Sequence, residues 1–171
     1  MNTNLRKLTL AAVLVAVCVA CAPLSIPVGA SKCFPVQHLV NILAGVFLGP
    51  WYSVGMAFCT SLIRVLTGTG TLLAFPGSMC GALLCGLVYR YCGKKLPLAF
   101  AGELVGTGLL GGMLAYPVAS MVLSKEAALF TYVLPFFVSS AGGTLIAIFL
   151  VTALKKTGVM DQVLQTGRTA S

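Results

Sequence analysis

Long apolar runs follow one another along the chain, each closed by a short cluster of glycine, proline or basic residues. They predict helices at about 8–23, 36–48, 51–66, 78–91, 97–123 and 127–154. Arg6 and Lys7 open the first. Gly49-Pro50 ends the second, because proline lacks an amide donor and restricts the residue before it. Trp51 and Tyr52 follow at once, where an interfacial aromatic belt would sit. Arg90, Lys94 and Lys95 close the fourth helix, and Lys155 and Lys156 the sixth. Residues 25–35 read as a loop. Residues 68–77 are glycine-rich, uncharged and apolar, and read as a structured loop pressed against the bundle. Irregular backbone at membrane depth is tolerated only where protein or a cavity surrounds it. The tail to Ser171 is polar and reads as frayed.

Composition turns these runs into membrane spans. The 171 residues are 58% hydrophobic and only 8% charged, with a mean hydropathy of +1.02. A soluble domain carries roughly 25% charged residues, so lipid must cover most of this surface. A span needs about 20 apolar residues, which allows about six in one domain, 1–171. The expected fold is all-α, a polytopic membrane bundle in the cell membrane. Small residues at every fourth position, Ala12, Ala16 and Ala20, make a stripe that lets another helix approach closely. Ala20-Cys21-Ala22 also resembles a cleavage site, so a signal peptide is an alternative to the preferred retained helix.

The net charge of +8 would point to nucleic acid in a soluble protein. Here the basic residues sit at the ends of apolar runs, the positive-inside pattern. One side collects Arg6, Lys7, Arg90, Lys94, Lys95, Lys155, Lys156 and Arg168; the other has Lys32, Lys125 and Arg64. Both termini are therefore expected in the cytoplasm, with the lipid bilayer and not nucleic acid as the partner. Cys18 and Cys21 form a C-x-x-C inside the first apolar run, with no second ligand pair at suitable spacing, so no metal or cofactor is expected.

Polar residues inside spans are costly and are functional candidates by default. His38 and Asn41 share a face with Gly45; Ser53, Ala57, Thr60, Ser61 and Arg64 form a similar stripe on the third helix. At the same outer level the topology sets Lys32, the 75–78 segment with Phe75 and Ser78, Tyr116, Thr131, Tyr132 and Ser139. The substrate-binding candidates are His38, Asn41, Arg64, Phe75, Ser78, Tyr116, Ser139 and Lys32, with Glu103 beside them. Each has an ordinary structural role as its competitor: a hydrogen-bonded core histidine, a snorkelling arginine, an interfacial tyrosine, a solvated lysine. Glu103 lies about two turns into the fifth helix, which sets it well below the outer cluster and too far from Arg64 for an ion pair. Pairing with another basic group, proton transfer or a subunit contact remain open for it.

The absences also count. There is no G-x-x-x-x-G-K-[ST], and three acidic residues cannot build metal-dependent phosphotransfer chemistry. A hydrolase using Ser78 and His38 lacks a G-x-S-x-G elbow. The chain also shows no repeated halves of the kind a stand-alone transporter carries. It reads as a binding protein, not an enzyme, without an engine of its own.

This combination resembles the substrate-binding S components of energy-coupling-factor (ECF) transporters, and within them the ThiW family. The residues are Gly29 to His38 with Asn41, Leu48-Gly49-Pro50-Trp51, Arg64 with the 68–78 run, and Gly102-Glu103 with Gly106-Thr107-Gly108. Val65 departs from the pattern, where Asn would be expected. The resemblance implies a six-helix protein that captures hydroxyethylthiazole, a thiamine precursor, at the outer face beneath a lid, here 23–35. It implies an ECF T component and two ATP-binding-cassette ATPases as partners, met through Ala12, Ala16 and Ala20. In the implied pocket, His38 or Arg64 donates to the ring nitrogen, Asn41 or Ser78 meets the hydroxyl, and Phe75 and Tyr116 face the ring. An S component for hydroxymethylpyrimidine or thiamine, and an assembly subunit without a ligand, are the competing readings.

Overall fold

The computed structural model describes residues 3–28, 31–124 and 128–158. Lys125 and Arg168 of the charge count, Gly29 and Ala30, the expected helix start at 127 and the tail to Ser171 lie outside the described residues. Among those described, six helices pack together: α1 Thr3–Ala20, α2 Pro35–Phe47, α3 Pro50–Leu66, α4 Ala74–Tyr91, α5 Leu96–Val122 and α6 Val133–Lys156. α5 passes through π-helical stretches at Leu104–Gly111 and Val118–Val122. By length and composition, α5 and α6 are each apolar enough to cross a membrane.

Polarity runs opposite to that of a soluble protein. Leu8, Trp51, Leu66, Met121, Leu134 and Phe149 are exposed, while Gln37, Asn41, Ser53, Thr60, Ser61 and Glu103 are buried. Such an exterior is solvated by lipid, and the polar groups must find partners inside.

Three expectations are corrected. Residues 25–35 are not a plain loop: β1 Ile26–Val28 pairs antiparallel with β2 Ser31–Cys33, and Pro27 faces Lys32 across the hairpin. A 3-10 turn, Ala22–Leu24, joins it to α1. α4 begins at Ala74 and not at Ser78, so Phe75, Pro76 and Gly77 are helical and not loop. Pro76 is accommodated because the first turn has no intrahelical use for its missing amide hydrogen. α6 starts at Val133, with Thr131 and Tyr132 in the preceding turn.

α2 is the axis of the bundle. It touches all five other helices and is buried nearly all round. Proline at its first position suits a helix start. Its 13 residues span only about 20 Å, against about 40 Å for α5. The end of α2 and the start of α5 meet, since Val46 and Leu96 share one core cluster with Cys85 and Tyr89. Counted from there, His38 stands about 13 Å along α2 and Glu103 about 10 Å along α5. Glu103 therefore lies level with His38, not well below it. The expectation took depth from the ends of the apolar runs, and the short α2 leaves His38 only about 13 Å above the level at which α5 begins.

Candidate functional site

Two glycines make the polar centre possible. A Cβ on Gly81 of α4 would lie 2.0 Å from Thr107 Oγ1 and 2.8 Å from both Glu103 carboxylate oxygens. A Cβ on Gly143 of α6 would lie 2.6 Å from His38 Cβ and 2.4 Å from the Pro35 carbonyl oxygen. Only glycine lets α5 and α6 bring their polar groups onto α2 and α4 this closely.

Glu103 is wholly buried and gathers three neighbours on one oxygen. His38 Nδ1 is 2.9 Å from Oε1, and Asn41 Nδ2 and Thr107 Oγ1 donate to it at 3.1 and 3.0 Å. On the far side of the ring, His38 Nε2 is 3.1 Å from Ser139 Oγ, which accepts the Phe34 amide hydrogen at 2.7 Å. Asn41 also donates to the Ser78 carbonyl at 3.2 Å. The network thus runs from the carboxylate in the core to the residue that joins the hairpin to α2.

A second chain runs from Arg64, buried on α3. Its Nη1 donates to Gln37 Oε1, and Gln37 Nε2 donates to Ser61 Oγ at 3.3 Å. Ser61 and Ser78 share a 2.9 Å hydrogen bond, and Ser78 donates to the Ala74 carbonyl at 2.8 Å. The guanidinium lies 3.8 Å from the centre of the Phe34 ring, a cation–π stack. Among the described residues, Arg64 Nε, Glu103 Oε2 and Asn41 Oδ1 find no partner.

Between the chains lies a cavity of about 50 Å³. Lys32, Phe34, Gln37, His38, Arg64, Ser78, Thr107, Phe136 and Ser139 line it, with Thr69, Gly70, Thr71, Ala74 and Gly77. That volume holds a few waters as it stands. The charged groups on its wall are basic, and the carboxylate of Glu103 sits behind His38 and Thr107.

Of the residues singled out from sequence, Lys32, His38, Arg64, Ser78 and Ser139 meet at this cavity. Asn41 and Glu103 stand one layer behind, bonded to its wall. Phe75 and Tyr116 are not on the wall; Phe75 packs edge-on against the half-exposed Phe58, ring centres 5.5 Å apart. The aromatic walls are Phe34 and Phe136, which sequence reasoning missed, as it missed Gln37 and Thr107. Gln37 was signalled by its place one turn before Asn41, and Thr107 by its place one turn after Glu103. Ala12, Ala16 and Ala20 lie exposed along α1. Ala12 borders a shallow apolar groove of about 510 Å³ between α1 and α3, with Leu8, Val15, Trp51, Gly55 and Cys59.

The profile of the ThiW family, described as thiamine-precursor transporter protein, matches residues 8–157. Among solved structures, ThiT from Listeria monocytogenes has the same fold. It superposes with a TM-score of 0.61 at 16% identity, covering 95% of this chain and 99% of that one. No curated protein matches the sequence.

Proposed function

The chain belongs to the ThiW family of thiamine-precursor transporter proteins, and from that membership we propose that it is the solute-binding S component of an ECF transporter. On this reading it is a single domain that crosses the cytoplasmic membrane several times with both termini inside. It captures hydroxyethylthiazole at the outer face and performs no chemistry on it. Import is driven by a T component and two ATP-binding-cassette ATPases, which it meets through the exposed alanines of α1.

The observation that carries this reading is the cavity lined by polar side chains in an otherwise apolar bundle, walled by Phe34 and Phe136. Hydroxyethylthiazole is a neutral aromatic ring with an acceptor nitrogen and one hydroxyl. Aromatic walls with a few placed polar groups suit such a solute. His38, Arg64, Ser78, Ser139 and Lys32 are the proposed contacts, with Asn41 and Glu103 as support. The cavity wall favours the thiazole over thiamine, because Lys32 and Arg64 line it without a carboxylate to meet the fixed cation of thiamine.

Isothermal titration of the detergent-purified chain tests this. Hydroxyethylthiazole is expected to bind tightly, with thiamine and hydroxymethylpyrimidine weaker. Tight binding of either control instead would discard the thiazole. No binding of any of the three by folded protein would discard the precursor reading.

A further inference from the structure

One placement of protons satisfies every hydrogen bond around His38. Glu103 Oε1 already accepts from Asn41, with the Thr107 hydroxyl 3.0 Å away, so it faces His38 as an acceptor, 2.9 Å from Nδ1. A lone pair on Nδ1 would oppose the oxygen, so Nδ1 carries the hydrogen. At the other end Ser139 Oγ accepts the Phe34 amide hydrogen at 2.7 Å. Its own hydrogen is free to point to His38 Nε2, 3.1 Å away, which in this placement is bare and receives it. The chain runs one way: Phe34 amide to Ser139, Ser139 to His38, His38 to Glu103.

This order decides what the cavity offers. The hydrogen of Ser139 is spent on His38, that of Ser78 on the Ala74 carbonyl, and that of Thr107 on Glu103 or the Gly77 carbonyl. All three oxygens line the cavity with only lone pairs left. Arg64 and Lys32, which also line it, have only donors. The cavity is polarised, with acceptors on one wall and donors on another.

We propose that Glu103 is a positioning residue that holds the proton of His38 on Nδ1, and that the site thereby selects a neutral solute with an O–H or N–H donor for the Ser139 wall and an acceptor for Arg64. Glu103 itself does not touch the solute. The selection rests on the cavity being the solute site; the proton assignment does not.

His38 is the only histidine in the chain, so ¹⁵N-histidine labelling gives the signals of one ring. Nε2 is told from Nδ1 by its couplings to both ring carbon-bound hydrogens. The expected spectrum of the solute-free wild type has a protonated Nδ1 and a bare Nε2. A ring protonated on Nε2, alone or together with Nδ1, overturns the proposal. In Glu103→Gln the amide can donate as well as accept, so the single tautomer is expected to give way to a mixture; unchanged ring signals would count against Glu103. With solute, the O-methyl ether of hydroxyethylthiazole is expected to bind about tenfold more weakly than the alcohol, the effect of one lost hydrogen bond. Ser139→Ala is expected to erase that preference. An ether that binds the wild type as well as the alcohol overturns the selection. Failure of the thiazole itself to bind would strike the proposed substrate, while the ring spectrum would still decide the proton assignment.

Discussion

The cavity between α2, α4, α5 and α6 and the groove between α1 and α3 both rest on small residues, but use them for opposite ends. Around the cavity, Gly81 and Gly143 are enclosed, and the room they leave is filled by polar atoms in directed hydrogen bonds. Along α1, Ala12, Ala16 and Ala20 face outward among exposed apolar neighbours such as Leu8, Val13 and Val17. Recognition of a small solute needs donors and acceptors at fixed positions, and in lipid each must be satisfied or aimed at a ligand. Association of helices in lipid needs close approach of apolar surfaces, since lipid tails give no hydrophobic drive between helices. The two regions should therefore answer differently to the addition of a methyl group.

The largest effect is expected at Gly81. A Cβ there would lie 2.0 Å from Thr107 Oγ1 and 2.8 Å from both carboxylate oxygens of Glu103. Neither group can retreat without breaking its bonds. Gly81→Ala should destabilise the fold by about 1–3 kcal/mol, the cost of overpacking a dense interior. It should also weaken solute binding on the order of 100-fold, because the network orients the cavity wall. Thermal unfolding in detergent and titration check the two parts. Unchanged affinity would mean that the Glu103 network does not shape the site.

A smaller effect separates two aromatic residues that sequence reasoning treated differently. Phe34 lines the cavity and stacks on Arg64 at 3.8 Å, whereas Phe75 leans on Phe58. Phe34→Ala should weaken solute binding by about 1 kcal/mol or somewhat more, roughly five- to tenfold. Phe75→Ala should leave it within about twofold. The reverse order of effects would return the solute to Phe75, which was first expected to face its ring.

The helices were legible because lipid demands long apolar runs, and the stripe from Ser53 to Arg64 was legible because polar residues at helical spacing cannot face lipid. The hairpin was not: each strand has only three residues, too few for alternation to stand out. Pro76-Gly77 read as a loop because the pair usually marks a turn, yet the first turn of a helix tolerates proline. The Glu103–His38 contact was hidden by the length of α2. Thirteen residues reach only about 20 Å, but the sequence does not say at which depth so short a helix sits. Phe34 sits in the expected 25–35 loop and Phe136 in an apolar run, and only the packing shows that both face the cavity.

The smallest effect on affinity is expected on α1, and it sharpens the contrast most. Ala16 is exposed on α1, while Ala11, Leu14 and Cys18 of the same helix face the bundle. Ala16→Leu adds bulk only on the outer surface. It disturbs no buried packing and no member of either hydrogen-bonded chain. Solute affinity of the purified chain should stay within about twofold, and its thermal stability should be unchanged, as for sites that share no neighbours. If the stripe is where the driving subunits approach, the same substitution should abolish uptake in cells and co-purification with the T component, because one large side chain holds two helices apart. Lost uptake with intact affinity would separate capture from transport on two faces of one small bundle. Intact uptake would remove α1 from the partner interface and leave the exposed alanines as ordinary lipid-facing surface.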